Sequence, residues 1–156
     1  MRIFRSDRIS RTIVRSGTLM ELAGRRFMLD TNICIFTVKN RPQQVRDAFN
    51  CSHDQFCISS VSLMELICGA EKSASPEKNL SVVEGFAARL EVLPYDELAA
   101  SHTGQLRAEL ARSGIPIGPS DQLIAGHARS RGLVMVTNNR REFDRLPGLR
   151  VEDWTS

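Results

Sequence analysis

Short apolar runs alternate along this chain with longer stretches whose apolar residues return every three or four positions. That alternation is the pattern of strands joined by crossover helices, and it predicts an α/β fold built on a parallel sheet flanked by helices. "RFMLD" reads as a first strand ending at Asp30. "QFCIS" reads as a second, followed by a helix over residues 61–72 that Ser59 or Ser60 can cap. "SPEKNLSVVEGFAARL" opens the next helix with Ser75 as cap and Pro76 in the first helical position, where a missing amide hydrogen costs nothing. "EVLPY" is a third strand. Over residues 96–113, Leu98, Ala99, His102, Leu106, Glu109 and Leu110 keep helical spacing, and Gly114 ends the run with Pro116 beyond it. Pro119 opens another helix through Ser130, "GLVMVT" is the most β-rich strand, and "LRVEDW" adds an edge strand.

With 156 residues, 42% of them hydrophobic and 25% charged, the chain has the size and make-up of one globular domain. Residues 1–26 stand apart, because Arg2, Arg5, Arg8, Arg11, Arg15, Arg25 and Arg26 fall there without a strong amphipathic pattern. One reading makes this segment a basic arm that follows a phosphate backbone. The reading favoured here is that translation starts later, at Met20 or Met28, and that the extension is disordered or not native. The domain itself is then residues 27–156. A net charge of +3 permits contact with a polyanion without demanding it. Cys34, Cys51, Cys57 and Cys68 lack Cys-x-x-Cys pairing and read as free thiols of a reducing cytoplasm. No run approaches the roughly 18 apolar residues that span a membrane, and the N-terminus lacks a secretory signal, so a cytoplasmic protein is expected.

In an open parallel sheet, ligands bind beyond the carboxyl ends of the strands, which gives weight to acids placed at strand exits. Asp30 holds such a place, although an Asp there can also simply cap the next helix. Glu65 lies in the otherwise apolar or small run "VSLMELICGA", where an uncompensated buried carboxylate costs several kcal/mol. A cation is expected to meet it, either an arginine or a metal ion. Asp121 sits in the first turn after Pro119, where the helix dipole favours its ionised form, a placement also common for helix stability alone. Beyond "GLVMVT" come Asn138, Asn139, Arg140, Arg141, Glu142 and Asp144, a second polar cluster at the same sheet edge.

Carboxylates crowded into one crevice repel one another unless a divalent cation neutralises them. A hard ion such as Mg²⁺, with Mn²⁺ as a substitute, accepts a few carboxylates and keeps other positions for water and phosphate oxygens. Such an ion can polarise a phosphodiester and help ionise an attacking water. His53, His102 and His127 lack the partner spacing of zinc ligands and are read as non-catalytic. Arg107, Arg112, Arg129, Arg131, Arg140 and Arg141 could rim the crevice, although most should solvate helix faces.

The segments "FMLDTNICIF", "ISSVSLMELICGAEKS", "HTGQLRAELARSGIPIGPSDQLIAGHARSRG" and "LVMVTNNRREFDRL" closely resemble the VapC toxins of bacterial toxin–antitoxin pairs, which are PIN-domain ribonucleases. The likeness runs in order from Phe27 to Trp154. It implies a PIN-like sheet flanked by helices, Mg²⁺-dependent cleavage of RNA, a homodimer, and a VapB-like antitoxin that neutralises the toxin in a hetero-oligomer. It also implies that Asp30, Glu65 and Asp121 are catalytic acids and metal ligands, with Asp30 and Asp121 the principal ones. Many PIN domains carry an Asp where this chain has Asn139; Glu142 is expected to replace it, with Asp144 as the other choice. The branch most resembled cuts initiator tRNA in the anticodon stem-loop and so stops translation. Unpaired loop nucleotides can be splayed into a metal site more readily than a duplex. With 6% aromatic residues, stacking platforms are few, which leaves recognition to shape and phosphate contacts. The alternative is a non-catalytic RNA- or partner-binding PIN module, for which Asn139 speaks. A phosphohydrolase of small nucleotides is a distant third, since no Gly-rich phosphate loop is present.

Overall fold

The computed structural model describes residues 26–39 and 55–154. Residues 1–25, together with Cys51 and His53, lie outside the described residues. The elements run β1 (Phe27–Leu29), α1 (Thr31–Val38), β2 (Phe56–Ser59), α2 (Ser60–Glu71), α3 (Pro76–Ala87), β3 (Glu91–Leu93), α4 (Glu97–Ser113), α5 (Pro119–Ser130), β4 (Val134–Val136), α6 (Arg140–Phe143) and β5 (Arg150–Glu152). The sheet order is β3-β2-β1-β4-β5 and every pairing is parallel. The expected α/β class and parallel sheet are therefore present, with shorter strands than the apolar runs suggested.

Strand side chains alternate between two separate cores, as the two-residue period of a pleated strand requires. Phe27, Leu29, Phe56, Ile58, Val134 and Val136 face one layer, where Ile33, Leu66, Val83 and Phe86 of α1, α2 and α3 cover them. Met28, Cys57 and Met135 face the other, under Leu106 and Leu110 of α4, Ile124 and Ala125 of α5 and Phe143 of α6. Both sheet faces are thus buried, which explains why "FML", "FCIS" and "VMV" are apolar apart from the terminal Ser59, with no alternation of polar residues. On the first face Phe27 meets Phe56 and Trp154 at ring-centroid distances of 5.8 and 5.5 Å.

Local chemistry sets the helix ends. The Ser59 hydroxyl caps α2 by accepting from the Val61 N–H, and Asp96 caps α4 by accepting from Ala99. Gly114 ends α4 at φ 67°, a left-handed conformation that glycine adopts without a Cβ penalty. Pro119 begins α5 as expected, and Pro76 begins α3, although Ser75 makes no side-chain cap bond. The basic extension was bounded at residue 26, yet Arg26 belongs to the fold: its carbonyl accepts from the Val134 N–H, and its guanidinium pairs with Glu91 of β3. Cys34 and Cys57 are buried free thiols and Cys68 an exposed one. Burial pushes the Cys57 thiol up to about 12.

Candidate active site

The chain winds one way from β1 to β2 and β3 and the other way to β4 and β5, so β1 and β4 flank a topological switch point. Connections leave such a pair in opposite directions, and a crevice opens beyond their carboxyl ends. Asp30 follows β1 directly. Its backbone N–H donates to the Val136 carbonyl of β4, and its side chain caps α1 by accepting from the Ile33 N–H at 2.8 Å. The capping role open to Asp30 is therefore real, and it fixes the carboxylate at the crevice.

Asp30 is only 3% exposed. Its carboxyl is pushed up to about 6, chiefly by burial and further by the negative charges of Asp121 and Glu65. Hydrogen bonding from the Thr137 side chain and the Ile33 N–H opposes that rise. Asp121, half-buried in the first turn of α5, is raised as well, first by burial and then by Glu142 and Glu65. Gly118 lies beside it, since a Cβ there would stand 3.4 Å from Asp121 Oδ2, an ordinary van der Waals contact. Asp30, Glu65, Asp121 and Glu142 thus share one electrostatic environment, brought together from the end of β1 and from α2, α5 and α6.

Among the described residues, no arginine or lysine meets Glu65. It is half-buried rather than enclosed, and Thr31 Oγ1 donates to its Oε1 at 2.6 Å. Among the described residues it forms no ion pair, so a hydroxyl in the turn after Asp30 positions it. The polar cluster after β4 resolves into two parts. Asn139 Nδ2 donates to Glu142 Oε2 at 2.7 Å, which orients Glu142, whereas Asp144 turns to Arg140 in an exposed pair at 3.0 Å. Of the two candidates for the fourth acid, the structure brings Glu142 to the others and ties Asp144 to an arginine.

Thr31 and Thr137 were not singled out from the sequence. Each is a β-branched hydroxyl residue immediately after or near a strand end, a signal that becomes specific only once the tertiary partner is known. His127 is fully buried, with Nδ1 2.8 Å from Ser59 Oγ and its ring edge-on to Tyr95. Burial lowers its pKa, as suits a neutral core imidazole. His102 accepts from Arg129 Nε. Neither histidine joins the carboxylates.

Among the described residues, no three His, Cys, Asp or Glu side chains are arranged to hold a metal ion by themselves. The donor set still suits a hard cation: all oxygen, anionic, partly desolvated, and open enough for an ion that keeps several waters. Zinc would call for nitrogen or sulfur donors that the pocket lacks.

A parallel sheet with carboxylates gathered at its switch point defines the class: an α/β protein with an acidic site beyond the strand ends. Residues 27–149 match the PIN domain, and the chain belongs to that family. Across 129 residues it is 68% identical to a tRNA(fMet)-specific endonuclease VapC from Salmonella typhimurium, an alignment covering 83% of this chain and 98% of the relative. The crystal structure of DNA-bound VapBC from Salmonella typhimurium superposes with a TM-score of 0.80 at 68% identity, over 83% of this chain and 98% of that one. VapBC2 from Rickettsia felis, bound to a DNA fragment from its promoter, gives a TM-score of 0.78 at 37% identity, over 82% and 98%. The resemblance to VapC stands, and ribonucleases of the PIN family depend in general on a divalent metal.

Proposed function

We propose that this protein is a Mg²⁺-dependent endoribonuclease, the toxin of a VapBC-type pair, which acts in the cytoplasm by cutting initiator tRNA in its anticodon stem-loop. One observation carries the reading: Asp30, Glu65, Asp121 and Glu142 converge at the β1/β4 switch point, where burial and the neighbouring negative charges raise the proton affinity of Asp30 and Asp121. The 68% identity to a tRNA(fMet)-specific endonuclease supports the choice of RNA, and the VapBC complexes support a VapB-like antitoxin as partner. No helix among the described residues is long and apolar enough to cross a membrane. Assembly into a homodimer, and with antitoxin into a hetero-oligomer, belongs to the same reading.

Asp30 and Asp121, with Glu65 beside them, would hold Mg²⁺, or Mn²⁺ in its place, and Glu142 would complete the acidic site. The ion supplies Lewis acidity toward the phosphodiester and a lowered pKa for an attacking water. The chain's own groups do the rest. The Ile33 amide and the Thr137 side chain orient Asp30, Thr31 orients Glu65, and Asn139 orients Glu142. Glu142, exposed enough to meet solvent, can accept a proton from water. Asn139, the strongest argument for a binding module, here supports catalysis, because it recruits a neighbouring acid where many PIN domains have an Asp.

The test is to incubate purified protein, free of antitoxin, with total bacterial tRNA in Mg²⁺ or in chelator and to map new RNA ends. A single cut in the anticodon stem-loop of initiator tRNA, seen only with Mg²⁺, is expected. RNA bound equally well in chelator and never shortened would turn the reading to the binding module.

A further inference from the structure

Arg107 and the residues around it point to a nucleotide subsite beside the acidic pocket. Several arginines that could rim the crevice are already engaged: Arg129 binds His102, Gln105 and the Pro147 carbonyl, Arg131 pairs with Asp96, and Arg140 pairs with Asp144. Arg107 of α4 has no acidic partner among the described residues. Its Nε donates to Gln122 Oε1 at 2.7 Å, and Gln122 Nε2 donates in turn to the Ile117 carbonyl at 2.8 Å. Gln122 is the residue after Asp121. The exposed guanidinium is therefore fixed through one nitrogen, its terminal nitrogens make no hydrogen bond among the described residues, and its tether ends in the turn that presents Asp121.

Beneath Arg107 lies an open hollow of about 470 Å³, floored by Leu110, Ile115, Pro116 and Ile117, with Arg107 and Gln122 at its polar rim. It has an apolar floor, one oriented cation and no acidic residue in its lining. That combination matches a nucleotide, whose base has apolar faces and whose phosphate accepts a forked guanidinium in two hydrogen bonds. An acidic peptide would use the cation but not the floor, and an apolar one would leave the charge unanswered. We infer that this hollow takes the unpaired nucleotide next to the scissile phosphate, its base on Pro116 and Ile117 and its phosphate on Arg107. The inference rests on the ribonuclease reading and deepens it: Arg107 is a binding residue that holds RNA in register over Asp121.

The test uses a labelled single-stranded RNA carrying the mapped cut site. Its binding is followed by fluorescence anisotropy in chelator and its cleavage by steady-state kinetics in Mg²⁺. Arg107→Ala should raise Kd and KM about tenfold, the effect of one lost charged contact, and change kcat by less than about twofold. The slope of log K against log salt should fall by about one phosphate contact. Gln122→Ala should shift KM the same way by less, and Arg107→Lys should restore only part, since a lysine cannot present a tethered fork. Unaltered Kd and salt slope in Arg107→Ala would overturn the subsite, as would a loss confined to kcat. A variant that binds RNA normally but sediments as a smaller species would assign the hollow to a second copy of the chain instead. If the wild-type protein binds this RNA and never cuts it, the nuclease reading fails, while the anisotropy of Arg107→Ala still decides the subsite.

Discussion

Asp30 carries two duties that pull against each other. It caps α1, and it is nearly enclosed at the crevice beside two other carboxylates. Its carboxyl, raised to about 6 from an ordinary 3.8, holds its proton in the folded protein after the unfolded chain has released it. Stability therefore falls as pH rises through that window, and the full cost, about 3 kcal/mol, is present above it when no cation offsets it. Asparagine caps a helix as well as aspartate and never ionises. Asp30→Asn should accordingly gain about 1–3 kcal/mol in urea unfolding at pH 8 in chelator and nothing at pH 4, while losing activity. An equal gain at both pH values would mean that packing, not charge, is responsible. Asn139 acts through Glu142, so Asn139→Ala should slow cleavage about tenfold, within the range seen when a group that orients a metal-site ligand is removed, and leave Tm unchanged. A matching drop in Tm would make Asn139 structural instead.

The helices that deliver the acids are held by close packing, tightest between α4 and α5. Gly126 of α5 lies against Thr103 of α4: a Cβ there would stand 2.1 Å from Thr103 Oγ1 and 2.7 Å from its Cα. Gly126→Ala must push the helices apart and should cost about 2–3 kcal/mol, a Tm loss of roughly 4–12 °C by calorimetry. A neutral result would show that the helix pair can slide. Much at this scale was legible in the sequence. The uninterrupted runs of β1, β2 and β4 announced strands buried on both faces, and Ser59, Gly114 and Pro119 marked helix ends by their own chemistry. The helix α1 was visible only as something for Asp30 to cap, because "TNICIFTV" has no polar face to give it a period. The short α6 is a single turn with too few residues for any period. The acids were placed by their strand exits and by the resemblance, but their partners were not, because Thr31–Glu65 is a contact between residues 34 apart. A cation was expected at Glu65, either an arginine or a metal ion; among the described residues no arginine supplies it, and a hydroxyl holds the half-buried carboxylate.

Across the whole molecule, the charge conflict in the pocket links cation binding to folding. An ion that binds only the folded protein stabilises it by about 2.7 kcal/mol at a hundred times its Kd. Mg²⁺ or Mn²⁺ at that excess should raise Tm by roughly 5–10 °C at pH 8, with chelator reversing the gain. The increment should shrink below pH 6, where Asp30 takes up its proton. A Tm indifferent to either ion would remove the proposed metal role. The net charge of +3 is too small to bind RNA through charge alone, so recognition must come from oriented groups such as Arg107 as well as from the pocket. The central claim, that these carboxylates cut RNA with a divalent ion, is tested most directly by single-turnover cleavage of initiator tRNA. Wild type should be compared with Asp121→Asn, with Mg²⁺ and with chelator, after circular dichroism has shown both proteins folded. The account predicts one discrete cut by the wild type in Mg²⁺ and none in the other three reactions; an undiminished cut by Asp121→Asn, or in chelator, would contradict it.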